Sequence, residues 1–307
     1  MIYDLAILGG GPGGVAAGVY ASRKRLKTVF ITDSFGGQSI VSESIENWIG
    51  TEKIPGIKLA GDLKNHLKAY AGEFVDIHEG EMVELVSKKG ENFEVKTNKG
   101  VYEARAVLVT TGSHRRKLEI PGAEQYENKG VTYCASCDGP LFSDKDVVVI
   151  GGGNAGFESA AQLLAYCKSV TLLNRSSEFR ADPVTVQKVL SHQNMKSVMN
   201  VIPVEIKGEK FAKSLVYEDV NTKERVEIPA EGIFVEIGLI PSTNYVKDIL
   251  ELNKYSQIVT DPRTQQTKTK GIWAAGDCTD TLYHQNNIAA GDAVRALEDI
   301  YITLHTK

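Results

Sequence analysis

Two short glycine-rich turns, each set between an apolar run and a helix-prone run, constrain this 307-residue chain more than any other feature. The first follows Leu5-Ala6-Ile7-Leu8 and reads Gly9-Gly10-Gly11-Pro12-Gly13-Gly14, leading into Val15 to Ala21. The second follows Val147-Val148-Val149-Ile150 and reads Gly151-Gly152-Gly153-Asn154-Ala155-Gly156, leading into Phe157 to Ala165. Continuous apolar runs bounded by glycine suit strands buried on both faces of a parallel sheet. Each unit then continues into another apolar run, Thr28 to Thr32 and Val170 to Leu173. A strand–turn–helix–strand start made twice predicts an α/β chain with two dinucleotide-binding units.

Within each turn the glycines follow the spacing G-x-G-x-x-G. Gly9 and Gly151 allow the tight turn, Gly11 and Gly153 let a pyrophosphate approach the backbone, and Gly14 and Gly156 allow close helix–strand packing. Pro12 and Asn154 stand at the helix starts that would face the anion. An acid ending the second strand would bind a ribose hydroxyl; in the first unit the candidate is Asp33, one residue past the apolar run. In the second unit the strand ends Asn174-Arg175-Ser176, with no acid at that point and Arg180 nearby. Arg175 and Arg180 therefore point to a 2′-phosphate and to NADPH, with NADH the alternative.

Between the two starts lies a predicted meander, Met82 to Ser87, Asn92 to Thr97 and Gly100 to Glu103, followed by a buried strand over Ala106 to Thr110. A second meander spans Val201 to Lys207, Lys213 to Asp219 and Glu224 to Ile228, followed by a strand over Gly232 to Ile237. A short strand is expected over Gly271 to Ala275 and an amphipathic helix over Asn287 to His305. Each unit thus reads as three layers, a parallel sheet with helices and a β-meander.

The formal net charge of −4 and the lack of a polybasic run argue against nucleic acid or an anionic membrane as partner. No stretch approaches the ~18 apolar residues of a membrane span. Met1-Ile2-Tyr3-Asp4 runs straight into a strand without a basic start or cleavage site, so a cytoplasmic protein is expected. Four cysteines are too few for a disulfide scaffold in a chain of this length. The pair Cys134-Ala135-Ser136-Cys137 is therefore read as redox chemistry, with Asp138 as candidate acid–base for the leaving thiolate. Cys167 and Cys278 are isolated and no histidine pair stands at ligand spacing, which argues against a zinc site and predicts no metal. Both are read as small buried hydrophobes.

The turns at Gly9–Gly14 and Gly151–Gly156 occur together with Gly36-Gly37-Gln38, Glu46-Asn47-Trp48, Thr111-Gly112, Cys134–Asp138 and Gly276-Asp277. In this order they resemble the low-molecular-weight thioredoxin reductase family along essentially the whole chain. Within it, Cys137-Asp138-Gly139-Pro140-Leu141-Phe142 and Ala275-Gly276-Asp277-Cys278-Thr279-Asp280 are most similar to the flavoprotein portion of the alkyl hydroperoxide reductase flavoprotein subunit. The resemblance implies a discontinuous FAD domain over residues 1–113 and 241–307 and an NAD(P)H domain carrying the disulfide over 114–240. It implies that the first glycine turn holds the FAD pyrophosphate, that Asp277 contacts the FAD chain, and that Gly37, Gln38, Asn47, Thr111, Gly112, Gly276 and Gln285 border the flavin site. It further implies electron flow from NAD(P)H through FAD to the Cys134–Cys137 disulfide, with Cys137 the sulfur nearer the flavin. The expected acceptor is a thioredoxin or a thioredoxin/glutaredoxin-like protein, and the expected assembly a homodimer. Three alternatives stay open: a stand-alone reductase, lacking N-terminal thioredoxin-like domains, that feeds a peroxiredoxin system; a flavin-dependent NAD(P)H oxidase or ferredoxin reductase with an idle cysteine pair; and a nucleotide-binding redox sensor. The sequence departs from NADPH-dependent relatives in having Asn174-Arg175-Ser176 where they carry His-Arg-Arg.

Overall fold

The computed structural model describes residues 1–42 and 45–306. The chain forms two compact units, one made of Met1–His114 with Ile240–Lys307 and the other of Arg115–Leu239. In chain order, the first stretch carries β1 (Ile2–Gly10), α1 (Pro12–Arg23), β2 (Thr28–Phe35), α2 (Gly56–Ala71), β3 (Val75–Glu79), β4 (Val83–Lys89), β5 (Asn92–Thr97), β6 (Val101–Val109) and β7 (Ser113–Arg115). The middle stretch carries β8 (Val131–Thr132), α3 (Ala135–Asp138), β9 (Asp146–Ile150), α4 (Asn154–Leu163), β10 (Ser169–Asn174), α5 (Pro183–Leu190), β11 (Met195–Met199), β12 (Val201–Gly208), β13 (Ala212–Asp219), β14 (Arg225–Pro229) and β15 (Gly232–Val235). The last stretch carries β16 (Leu239–Pro241), β17 (Ile272–Ala274) and α6 (Asn286–His305).

In the first unit the sheet runs β3-β2-β1-β6-β5-β4, with β17 also paired to β6. β1 is parallel to both β2 and β6, in register Leu5↔Thr28 and Leu5↔Ala106. The apolar run is unbroken because both faces of β1 are covered. Leu5 and Ile7 point into a cluster with Val15 of α1, Leu67 of α2 and Leu297 of α6. Ala6 and Leu8 point into a second cluster with Val86, Phe93 and Val95 of the meander. Each such aliphatic side chain contributes roughly 1.5–3 kcal/mol by leaving water.

The second unit repeats the scheme. Its parallel sheet runs β11-β10-β9-β15-β8. Val147 and Val149 of β9 pack with Phe157 and Leu163 of α4, while Val148 and Ile150 face Ile206 and Leu215 of the second meander. The helices start where the glycine turns end. Pro12 occupies the first turn of α1, where a missing N–H costs nothing. Asp182 caps α5, its carboxylate accepting from the Thr185 N–H at 2.9 Å.

The two meanders are joined differently from the sequence expectation. In the first unit the predicted strands over Gly100 to Glu103 and Ala106 to Thr110 are one nine-residue strand, β6, which closes the meander and lies parallel to β1. In the second unit β12-β13-β14 is a separate three-stranded sheet. Pro229 ends β14 and has no N–H to donate, and Gly232 opens β15 after two residues outside either strand. Helices α2 and α5 and strands β3 and β11 are additional to the expected elements. No described helix is long and apolar enough to cross a membrane.

Candidate active site

The first unit encloses a cavity of about 780 Å³ at the C-terminal ends of β1, β2 and β6. Three glycines of the turn play three distinct parts. Gly9 has φ +116° and lies so close to the end of β6 that a Cβ would stand 2.5 Å from the Thr110 carbonyl oxygen. Gly14 would put a Cβ 1.8 Å from the Gly9 oxygen, which is the close helix–strand approach. Gly11 meets nothing nearer than the Gly37 Cα at 4.0 Å, so its backbone is open to the cavity. The first turn of α1 carries no acidic residue, so the partial positive charge of the helix start is left for an anion.

The cavity wall includes Gly9, Gly11, Pro12 and Asp33 from the first two strands and their turns, and Gly37 and Gln38 from the next loop. Thr111 and Gly112 follow β6 on that wall, and Gly276, Asp277 and Gln285 complete it from the last stretch of the chain. Gly14 is packed beneath the turn. Asn47 reaches the wall through Gln285, its Nδ2 donating to Oε1 at 3.1 Å. Asp277 Oδ1 stands 3.4 Å from His284 Nδ1.

Several wall residues are additional to those expected. Ser113 is buried and its hydroxyl has no hydrogen-bond partner among the described residues, an orphan polar atom that a bound ligand would satisfy. The Thr111 hydroxyl donates to the Ser242 carbonyl at 2.8 Å, so its contact with the Tyr245 hydroxyl at 2.9 Å has Tyr245 as donor. Burial pushes the Tyr245 phenol well above its usual range, which keeps it protonated. Burial works against charge on Glu81, yet hydrogen bonds from Thr97 and Tyr102 hold its carboxyl below the usual range. An open glycine, an uncapped helix start and an orphan hydroxyl on one cavity fit a dinucleotide with a polar tail.

In the second unit, β8 leads through Tyr133 into the one-turn helix α3, which carries Cys134 at its cap and Cys137 within it. The two cysteines form a disulfide with Cα atoms 5.3 Å apart. Both are partly exposed. The Thr132 hydroxyl donates to Asp138 Oδ2, and the Cys134 N–H lies 3.4 Å from the same hydroxyl oxygen. Asp138 is thereby tied to the strand that feeds the disulfide. Ser136 Oγ donates to Gln162 of α4 at 2.9 Å, fixing the loop to the helix beside it. Cys167 and Cys278 are buried and free, with thiols pushed up by burial to about 11 and about 12. Neither supplies a thiolate near neutral pH. Among the described residues no group of His, Cys, Asp and Glu could hold a metal ion.

The second glycine turn repeats the first. A Cβ on Gly151, at φ +130°, would stand 2.2 Å from the Glu236 carbonyl oxygen, and one on Gly156 would stand 1.8 Å from the Gly151 oxygen. Gly153 meets nothing within 4 Å. Helix α4 also begins without an acid in its first turn, and Asn154 Oδ1 accepts from the Asp182 N–H at 2.8 Å. Asn174 Nδ2 donates to the Ser176 and Glu178 carbonyls, each at 2.9 Å, and folds the loop after β10. Arg175 and Arg180 are exposed there, and neither guanidinium has an ion-pair partner among the described residues. The Arg180 N–H donates to the Gly152 carbonyl at 2.9 Å, which places Arg180 beside the turn. Glu236, just past β15, accepts from Ser159 Oγ of α4 at 2.6 Å, and burial pushes its carboxyl up to about 7.

The family model for pyridine nucleotide-disulphide oxidoreductases matches residues 3–293. An alkyl hydroperoxide reductase component of Escherichia coli (strain K12) is 40% identical over 296 residues, covering 96% of this chain and 57% of that protein. A protein of Bacillus subtilis (strain 168) named NADH dehydrogenase is 37% identical over 295 residues, covering 96% of this chain and 57% of its own length. The chain thus spans little more than half the length of these relatives. Among solved structures, thioredoxin reductase from Streptococcus pyogenes MGAS5005 superposes with a TM-score of 0.89 at 31% identity, covering 100% of this chain and 99% of that one. Thioredoxin reductase from Giardia duodenalis superposes at 0.91 with 29% identity, covering 98% and 99%.

Proposed function

The chain belongs to the pyridine nucleotide-disulphide oxidoreductase family, and from that premise we propose that it is a flavoprotein disulfide reductase acting on a thioredoxin-like protein. The observation that carries this reading is the Cys134–Cys137 disulfide, which lies past β8 on the same sheet whose β9 ends in the second glycine turn. A nucleotide turn and a redox disulfide on one sheet edge serve electron transfer from a coenzyme. The full-length likeness to two thioredoxin reductase structures supports it.

In this reading residues 1–113 and 241–307 hold FAD, and 114–240 hold NAD(P)H. Bound FAD supplies the two-electron relay between the coenzyme's hydride and the disulfide. The Gly9–Gly14 turn and the start of α1 hold its pyrophosphate, and the Ser113 hydroxyl finds its partner on it. Gln38, Thr111, Asp277 and Gln285 orient it. Gly151, Gly153, Asn154 and Gly156 hold the coenzyme's pyrophosphate, with Arg175 and Arg180 toward a 2′-phosphate. Asp138, steadied by Thr132, gives and takes the proton of the thiol formed when the disulfide opens. The reduced pair then passes its electrons on by thiol–disulfide exchange through Cys134. The protein is proposed to work in the cytoplasm as a homodimer.

A second reading is favoured by the 40% identity to the alkyl hydroperoxide reductase component, namely a reductase whose electrons reach a peroxiredoxin through a separate thioredoxin-like protein. Anaerobic titration of the purified protein with NADPH and with NADH, followed by flavin absorbance and thiol counting, tests the shared core. Bleaching with two new thiols per chain is the expected result. A bound flavin that neither coenzyme reduces would sink the reading. Turnover with a thioredoxin or with a peroxiredoxin-coupled partner then separates the two acceptors.

A further inference from the structure

The strand order of the second sheet sets four features in a row along one edge. Arg175 follows β10, the Gly151 turn follows β9, Glu236 follows β15, and Cys134 lies just beyond β8. From β9 the chain steps outward to β10 and β11 and later returns on the other side of β9 as β15. That is the switch point at which an open α/β sheet binds ligand, outside the carboxyl ends of its strands. A dinucleotide whose pyrophosphate rests on the open Gly153 lays its halves on opposite sides of β9. If the adenosine half takes the arginine side, the nicotinamide half lies over β15, on the way to Cys134. Glu236 is the first residue past that strand, and its backbone carbonyl abuts the turn.

The Glu236 carboxyl is held by one hydrogen bond, from Ser159 Oγ to Oε1 at 2.6 Å, and Oε2 has no hydrogen-bond partner among the described residues. The residue is half-buried. Helix α4 brings Glu158, whose charge opposes ionisation, and the stretch before β8 brings Arg115, whose charge favours it. The turn after β9 brings the Gly151 backbone against Glu236, and Thr132 at the end of β8 donates to the Asp138 carboxylate.

We propose that Glu236 is a proton-linked selector of the coenzyme's oxidation state, its carboxylate favouring the oxidised, positively charged nicotinamide ring over the neutral reduced one. This rests on the coenzyme reading given above. The reduced ring carries no charge and the oxidised ring carries one positive charge, so only the oxidised ring gains from an anion at its edge. Burial leaves the carboxyl near half ionisation at neutral pH, so binding of the oxidised coenzyme expels a proton. The bound coenzyme is then a better hydride donor as pH rises, and its oxidised form leaves more slowly.

Calorimetric binding to the air-oxidised holoprotein tests this, with NADP+ and NAD+ each compared with the matching ADP-ribose, which keeps the phosphates and lacks the pyridinium ring. The ratio of the two affinities is expected to rise about fivefold between pH 6 and pH 8, the effect over that range of one unit of downward pKa displacement from about 7. Buffers of different ionisation enthalpy should report proton release for the coenzyme alone. Glu236→Gln keeps the size and the Ser159 contact and should flatten the ratio. Ser159→Ala removes the hydrogen bond that favours the ionised form, so the rise should move to higher pH. A ratio that does not change with pH, or one that changes equally in Glu236→Gln, overturns the proposal. If no coenzyme binds the parent protein at either pH, the coenzyme reading falls and the proposal with it.

Discussion

The two glycine turns are the same device facing different neighbours. In both, the first glycine has a positive φ and presses against the end of the next parallel strand, the second is open, and the third packs on the carbonyl of the first. The pressing residue is Thr110 in the first unit and Glu236 in the second. Thr110 spends its hydroxyl on the Leu8 carbonyl at 2.8 Å and has nothing to titrate. Glu236 offers a carboxyl with one oxygen that has no hydrogen-bond partner among the described residues. The glycines are therefore a shared requirement of geometry, and the chemical difference between the two turns stands at the end of the strand beside each.

Removing one sulfur gives the largest expected effect. Cys137→Ser should leave flavin reduction by coenzyme intact and stop partner reduction, measured by stopped-flow absorbance and a coupled partner assay. Full partner turnover in the variant would show that the second unit's disulfide is idle. Next comes the pair Gly14→Val and Gly156→Val, each of which drives side-chain atoms into a carbonyl already 1.8 Å from the Cβ position. Gly14→Val should purify without flavin. Gly156→Val should keep its flavin and lose coenzyme binding. If both variants lose flavin, or both keep it, the turns do not divide the labour. Smaller again is Arg175→Ala with Arg180→Ala. Loss of one or two charge-assisted bonds of roughly 1.5–3 kcal/mol each should raise the KM for NADPH by tenfold or more and leave that for NADH nearly unchanged. An equal change for both coenzymes would remove the 2′-phosphate from the account.

The features legible in the sequence are those whose requirement is local. A glycine at the first turn position is demanded by φ, a glycine at the third by one carbonyl, and Cys134 and Cys137 by a single turn of helix, so spacing along the chain exposes them. The run Leu5 to Leu8 marked a strand covered on both faces, as its alternate packing into two clusters bears out. What stayed hidden depends on strands far apart in sequence. Ser113 is buried on the wall of a cavity built from distant stretches of the chain, and Tyr245 finds Thr111 across more than a hundred residues. Glu236 left one signal, a lone acid in the apolar run before Gly238. Helix α2 also left one, Leu59, Leu63 and Leu67 at spacing four, all buried.

The contrast between Thr110 and Glu236 also predicts a stability difference with pH. The Glu236 carboxyl is pushed from 4.5 to about 7 by burial. A folded pKa above the unfolded value means that the folded protein holds a proton the unfolded chain has released. Stability therefore falls as pH rises from about 4.5 to about 7 and levels off above it. Glu236→Gln removes that slope, so the variant should gain on its parent at pH 8, by at most about 3 kcal/mol, and match it near pH 4. Thermal unfolding at the two pH values measures it. Thr110→Val should show no such pH dependence.

The smallest stability change expected is the sharpest test of the first unit. The Ser113 hydroxyl is buried without a partner among the described residues, which costs roughly 1–3 kcal/mol when nothing reaches it. In Ser113→Ala the flavin-free protein loses that cost and should be more stable than its parent by about 1 kcal/mol. If flavin supplies the partner, the loaded protein loses a hydrogen bond of about 1 kcal/mol instead, and retention of flavin should weaken by the sum of the two changes, about 2 kcal/mol or about thirtyfold. The substitution thus moves the free and loaded forms in opposite directions. Unfolding of both forms, with flavin dissociation followed by fluorescence, reads the two signs separately. Should both forms gain stability, the hydroxyl has no partner on the flavin, and the cavity holds its cofactor by the glycine turn and the remaining wall alone.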